Sequence, residues 1–344
     1  MKSLKKYFKN IILKAVDYSV YFSGIYFLLD KLIVNKGIYI LMYHRIGDKN
    51  DKNYFQNFSV KKEELIKQIE FFKKKYSCIS LTEAISILRR NYKLGKDYIV
   101  FTFDDGYTDN LKYGVPIFLE YNIHPTIYLT ASKIDRGEPL WTEIVDCILT
   151  NCTDLSAVEK IFNVKAPDNF TLKGEIYNYT ENIKAILKEM PQDTITRNLE
   201  ELASRLKTNQ DIIKSDLLDW KGIKTLINSG WEIGSHTLNH VNLAIECKET
   251  VVKELEESAL IIENRTGFKI TDFSYPFGKE KHFDEFAVES VKKYYRSAVT
   301  SVDGINKLGD DLFTFKRVMI ANHYSVIDVK VKLLRIKLKD FLVK

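Results

Sequence analysis

Two adjacent carboxylates, Asp104 and Asp105, stand at the end of the apolar run Tyr98-Ile99-Val100-Phe101-Thr102-Phe103, with Gly106 behind them. Paired acids at the end of a buried strand are costly unless each has a partner. Glycine permits a sharp turn, so both side chains can reach one place instead of opposite faces of the strand. A second pattern, Ser235-His236-Thr237-Leu238-Asn239-His240, follows the run Trp231-Glu232-Ile233-Gly234 in a chain with six histidines. Histidines four residues apart lie one helical turn apart on a helix, so both imidazoles can face one metal ion. With Asp105 they make a two-histidine, one-carboxylate set that leaves coordination positions open for water and substrate. Zinc, cobalt, nickel and iron all suit such ligands. The competing structural reading is that the aspartates cap a helix starting at Tyr107-Thr108-Asp109.

The elements that must position these residues follow from the periodicity. Residues 38–43 form a continuous apolar run, the pattern of a strand buried on both faces. Ser59 is a candidate cap for a helix carrying Leu65, Ile69 and Phe72, and a short strand over 78–81 leads to a helix start at Thr82. Strands are predicted at 98–103, 126–130, 231–234, 272–275, 296–300 and 313–320, with helices near 109–121, 220–229, 248–265 and 283–293. Between 138 and about 215 the alternation stops, and helical patterns without a strand predict an insertion.

Repeated strand–helix alternation with doubly buried strands predicts a parallel α/β fold, and about seven such units favour a TIM-like (β/α)7 barrel over an open sheet. Barrel chemistry sits at the C-terminal ends of the strands. His44, Asp104-Asp105, Ser235-His236, Pro276 and Asn322-His323 all fall there.

The 344 residues, 45% hydrophobic and 28% charged, suffice for a large catalytic domain. Four cysteines without CxxC spacing offer neither a zinc knuckle nor a redox pair. The net charge of +6 is confined to the ends: +5 over the first fourteen residues and +5 over 330–344, leaving the stretch between at −4. A nucleic-acid binder would spread its bases over a working face, so nucleic acid is not expected as a partner. Terminal cations fit either a membrane surface or solvated helix faces. Residues 4–33 read as amphipathic helix, with no cleavage site and no run near the roughly 18 apolar residues of a membrane span. The expected location is cytoplasmic or peripheral to the membrane. The expected division is an amphipathic segment over 1–36, a barrel over 37–325 with the insertion 138–215, and a basic C-terminal helix over 326–344.

The segments TFDDG (102–106), SHTLNH (235–240) and YPFG (275–278), in this order, resemble the first three motifs of the polysaccharide deacetylase, or NodB-homology, family of carbohydrate esterases. LMYHRIG (41–47), Phe58-Ser59-Val60 and Ser80-Leu81-Thr82-Glu83 are similar to the family's extended branch. The resemblance implies a distorted seven-stranded (β/α) barrel and metal-dependent hydrolysis of N-acetyl groups on amino sugars of a cell-surface glycan or its precursor. It makes Asp104 the general base, Asp105, His236 and His240 the ligands of a divalent metal, zinc foremost, and Pro276 and Phe277 one wall of the sugar groove. The Tyr107 N–H would help to hold the oxyanion, and His323, near the fifth motif, would be the general acid. His44 reads as structural, its ring bonded to backbone near the barrel mouth, or as a residue that borders the site.

The chain also departs from that pattern. Ser274 stands where many members carry an arginine that orients the catalytic aspartate, and the Asp-x-x-Asp/Ser-Trp motif has no counterpart near Ser301–Asn306. Another donor must hold Asp104, and Arg317 on the last strand is the first candidate. Two other functions compete: a deacylase of a formyl or lipid-linked sugar amide, and a barrel that binds glycan without cleaving it.

Overall fold

The computed structural model describes residues 15–33, 36–48, 59–90, 94–152, 154–167, 173–206 and 214–342. The cationic stretch 1–14 lies outside them. Ten strands occur in chain order among these residues: β1 Ile38–Tyr43, β2 Arg45–Gly47, β3 Ser59–Lys61, β4 Ser77–Cys78, β5 Tyr98–Phe103, β6 Thr126–Leu129, β7 Glu232–Ser235, β8 Asp272–Ser274, β9 Ser297–Val299 and β10 Arg317–Met319. Seven of them form a parallel sheet in the order β10-β1-β5-β6-β7-β8-β9. The ends are drawn together by a parallel bridge between Val299 and Phe315 and by Thr300 N–H donating to the Phe315 carbonyl at 2.8 Å. The result is a nearly closed (β/α)7 barrel with its helices outside.

The distortion has a visible cause. β1 occupies one edge of β5 along its whole length. The other edge is shared, with β4 on Tyr98 and Ile99 and β6 only on Thr102 and Phe103. The apolar run near Cys78 therefore makes a short wedge and not a barrel strand. Ser59 lies in β3, in a two-stranded side sheet with β2, and the helix begins three residues later at Lys62.

Strand alternation sorts the side chains. Tyr39, Leu41, Phe101, Phe103, Ile127, Phe273 and Val318 point outward into the large core shared with the surrounding helices. Ile38, Ile40, Val100, Tyr128, Val299 and Phe315 point inward and form a separate cluster with Leu81, Ala84, Ile85 and Leu88. Helix Leu81–Arg89, started by a Ser80–Glu83 capping box, therefore plugs the N-terminal end of the barrel. The same parity carries Thr102, Asp104, His236, Ser274 and Arg317 into the upper lumen.

Between β6 and β7 run helices Trp141–Asn151, Ser156–Phe162, Lys173–Leu187 and Gln192–Arg205, which share an apolar cluster of their own. Helix Val326–Leu342 returns along the barrel, placing Val329 and Leu333 in the main core and Val331 and Leu334 against Tyr26 and Ile33 of the N-terminal region. Several of its cations are engaged within the molecule. Lys337 meets Asp97 at 3.3 Å, Lys332 meets Asp303 at 3.1 Å, and Arg335 pairs with Asp17. Among the described residues no helix is long and apolar enough to cross a membrane.

Candidate active site

Asp104 and Asp105 leave β5 in different directions because the chain turns sharply between them. Asp105 has φ 79° and Gly106 φ 96°, two successive left-handed residues, and the first is a strained state for a non-glycine. Asp104 keeps the inward parity of Thr102 and meets Arg317 in a two-pronged ion pair, Nη1 to Oδ1 and Nη2 to Oδ2, both at 2.7 Å. Arg317 is itself fixed by donating to the Thr300 carbonyl at 2.7 Å, Ser274 Oγ at 3.1 Å and Thr102 Oγ1 at 3.3 Å. The arginine absent from position 274 is thus supplied from β10, and the small Ser274 side chain leaves room for it. Burial alone would raise the Asp104 pKa. The charge and hydrogen bonds of Arg317, aided by His236 and His44, outweigh burial and hold the carboxyl below the usual carboxylate range.

Asp105 faces His236 and His240. Its Oδ1 lies 3.6 Å from His236 Nε2 and 3.4 Å from His240 Nε2, and one ligand atom from each of the three lies within 4.8 Å of the others. The histidines do not sit on a helix. They bracket a tight loop past β7, closed by left-handed Thr237 (φ 65°) and His240 (φ 62°). The loop needs an outside scaffold, and the buried Glu254 supplies it by accepting from the N–H groups of Leu238 and Asn239, both at 2.9 Å. His236 Nδ1 donates to the Ser274 carbonyl at 2.7 Å, which leaves Nε2 as the free lone pair toward Asp105.

These residues fit a divalent cation. Asp105 Oδ1 is buried without a hydrogen-bond partner. Its carboxyl is pushed well up, first by burial and then by Asp104 and Glu143. Burial pulls His236 down to about 4 and His240 well below its ordinary value, so both are neutral imidazoles, the form that ligates. Together they could hold a metal ion.

The remaining expected residues are placed unevenly. Tyr107 pairs with Leu217 through the Thr108 N–H and the Gly106 carbonyl, an arrangement that does not use the Tyr107 N–H. Its ring lies under Arg45, which is paired with Asp109 at 2.6 Å and Asp216 at 2.9 Å. Pro276 is buried, and Phe277 (φ 60°) stands against the His240 ring at 4.8 Å and Trp141 at 6.0 Å. His323 is exposed in the turn after β10, its ring 5.1 Å from that of Tyr324. His44 is half-buried at the mouth, and its backbone carbonyl, not its ring, accepts from Asn110 Nδ2 at 3.0 Å. Burial lowers its pKa, while Asp104 raises it and Arg317 and Lys188 lower it further. Sequence reasoning placed His44 at the border of the site but missed its closeness to Asp104, along with Glu254 and Lys188. Only the position of His44 just past a strand end signalled it.

A polysaccharide deacetylase family model matches residues 91–295, more than half of the chain. The chain belongs to the polysaccharide deacetylase family, carbohydrate esterases that act on amide bonds. It is 30% identical over 105 residues to YxkH of Bacillus subtilis, a protein named as a polysaccharide deacetylase. That match spans 30% of this chain and only 36% of the relative's length. Among solved structures, the Streptococcus pyogenes deacetylase PplD superposes with TM-score 0.57 at 18% identity, covering 88% of this chain and 98% of the other. IcaB from Ammonifex degensii gives 0.57 at 15% identity over 88% and 97%. A de-N-acetylase from Aggregatibacter actinomycetemcomitans gives 0.53 at 18% over 86% and 99%. At these identities the likeness shows the barrel fold.

Proposed function

We propose that this protein hydrolyses N-acetyl groups from amino sugars of a cell-surface glycan or its precursor, with a divalent metal, zinc first, held by Asp105, His236 and His240. The observation that carries the reading is the juxtaposition of a buried, converging Asp/His/His set with a second carboxylate clamped by Arg317 in the same barrel mouth. The chemistry such an ion supplies is polarisation of the amide carbonyl and acidification of water. Asp104, fixed and ionised, accepts the proton of the attacking water. The Tyr107 N–H comes two residues after Asp105 and can donate to the carbonyl oxygen as charge develops there. Pro276 and Phe277 form one wall of the groove.

The departing amine needs a proton, and here our reading moves from His323 to His44. His44 is at the mouth within the electrostatic field of Asp104, whereas His323 is exposed in the turn after β10. The division into a barrel over 37–325, an insertion over 138–215 and terminal segments is part of the proposal. Contact of Trp141 with Phe277 supports a role for the insertion in substrate choice. A lipid-linked precursor at a membrane surface is favoured by one observation, the exposure of Phe22, Ile25, Phe27, Leu28 and Leu32 on the N-terminal helices.

The deciding experiment is acetate release from N-acetylated oligosaccharides and lipid-linked sugars, by metal-stripped protein and after addition of zinc, cobalt or nickel. Metal-dependent acetate release supports the reading. Glycan binding without acetate release under every metal would leave a non-catalytic barrel, and formate release would change the acyl group.

A further inference from the structure

Lys188 belongs to none of the machinery described above. It follows the end of insertion helix Lys173–Leu187, and Asn242 Nδ2, two residues past His240, donates to its backbone carbonyl at 2.8 Å. Gln192 N–H donates to Glu246 Oε1 at 2.7 Å. The segment is thus fastened at two points to the loop that continues from His240. Its half-buried ammonium stands over the Phe277 ring, 5.0 Å from the centroid, and Phe277 meets the His240 ring.

The neighbouring cations have partners. Lys184 pairs with Asp146 at 2.6 Å and Glu181 at 3.0 Å, and Lys281 pairs with Glu189 at 2.5 Å. Glu181 is the acid whose charge is felt at Lys188, and it is already engaged by Lys184. Among the described residues no carboxylate forms an ion pair with the Lys188 ammonium. An aromatic face balances such a charge only in part, and a half-buried cation without a counter-ion carries a desolvation cost. A half-buried ammonium one aromatic ring from the ligand set and without an internal anion is matched to an anion brought by the substrate.

We propose that Lys188 is a specificity residue that binds an oxyanion, carboxylate or phosphate, on the glycan beside the acetamido sugar at the metal site. The inference rests on the deacetylase reading and names its substrate class: an acidic, N-acetylated amino-sugar polymer. The ammonium sits one aromatic ring from the ligand set, on the wall formed by Phe277.

The test compares kcat/KM of the zinc-loaded protein on three acetylated substrates of matched length. One is a neutral N-acetylglucosamine oligomer, one alternates N-acetylglucosamine with a uronic acid, and one carries a phosphate on the neighbouring sugar. Wild type should favour an acidic substrate, mainly through KM, and whichever acid is favoured identifies the oxyanion. Lys188→Gln should lower the acidic-to-neutral ratio by about tenfold, the size of one hydrogen bond to a charged group, and Lys188→Arg should restore it. An unchanged ratio, or a kcat loss equal on all three substrates, overturns the proposal. If wild type releases acetate from none of them, the deacetylase reading fails. The subsite is then judged by calorimetric binding of the acidic oligomers to wild type and Lys188→Gln, where equal affinity overturns it.

Discussion

The floor and the mouth of this barrel are built by the same strands and behave as opposites. At the floor, Ile38, Ile40, Val100, Val299 and Phe315 meet Leu81, Ala84, Ile85 and Leu88 in a close-packed apolar plug. At the mouth stand two buried aspartates, two buried histidines and a buried arginine. Four of the six described non-glycine residues with positive φ, Asp105, Thr237, His240 and Phe277, lie there too. Two polar atoms, Asp105 Oδ1 and His240 Nδ1, are buried without partners. Backbone strain is thus gathered at one end, where the packed floor and the outer helices hold it in place.

The sharpest way to break that contrast is at the mouth. Asp104→Asn should cost about 10²–10⁴-fold in kcat while zinc binding by calorimetry persists, whereas Asp105→Asn should remove the zinc itself. Equal metal loss in both variants would show that the roles are misassigned.

Arg317→Met should lower the free energy of unfolding in urea by about 3–5 kcal/mol, because it strands a buried carboxylate. Adding Asp104→Asn should recover much of that loss. If the double variant is no more stable than the single, the ion pair is not what fixes the mouth.

A floor substitution separates the two ends from the other direction. Phe315→Ala should cost about 3–5 kcal/mol by opening a cavity, yet leave zinc affinity near that of wild type. A large affinity loss would mean that the ends are mechanically coupled.

A smaller effect concerns pH. His236 titrates near 4 when folded, against an ordinary value of 6.5. The unfolded chain therefore binds the extra proton first as pH falls through that window. In metal-free protein this stabilisation is complete above 6.5 and is lost progressively down to about 4, on the order of 3 kcal/mol. Denaturation across that range should show a steeper pH slope in wild type than in His236→Asn. Glu254→Gln, which weakens the scaffold of the histidine loop, should reduce zinc affinity about tenfold.

Much of the barrel was legible because its strands are apolar runs of a length that admits one reading, and because polar residues just past strand ends face the mouth of a barrel. The histidine spacing was read as a helical turn, since four residues apart is one turn in any helix. Nothing local announces that Thr237 and His240 adopt left-handed backbone, in a loop whose Leu238 and Asn239 N–H groups donate to Glu254 on another element. The fifth-motif position drew attention to His323, but exposure is a tertiary property, and it is His44 that lies near Asp104.

What the sequence determined by itself was the inventory and the parity: two carboxylates after an inward-facing threonine, two histidines after a buried strand, and a serine where an arginine was expected. These are set by composition and by the two-residue period of a strand. What only the tertiary structure decided was who meets whom. Arg317 reaches Asp104 across 213 residues of chain because barrel closure places β10 next to β1 and aligns Met42 with Met319. Lys188 reaches Phe277 because hydrogen bonds from outside its helix fasten that segment beside the histidine loop. Such pairings depend on strand order and register, which are fixed by packing the whole barrel at once and leave no periodic trace in the chain.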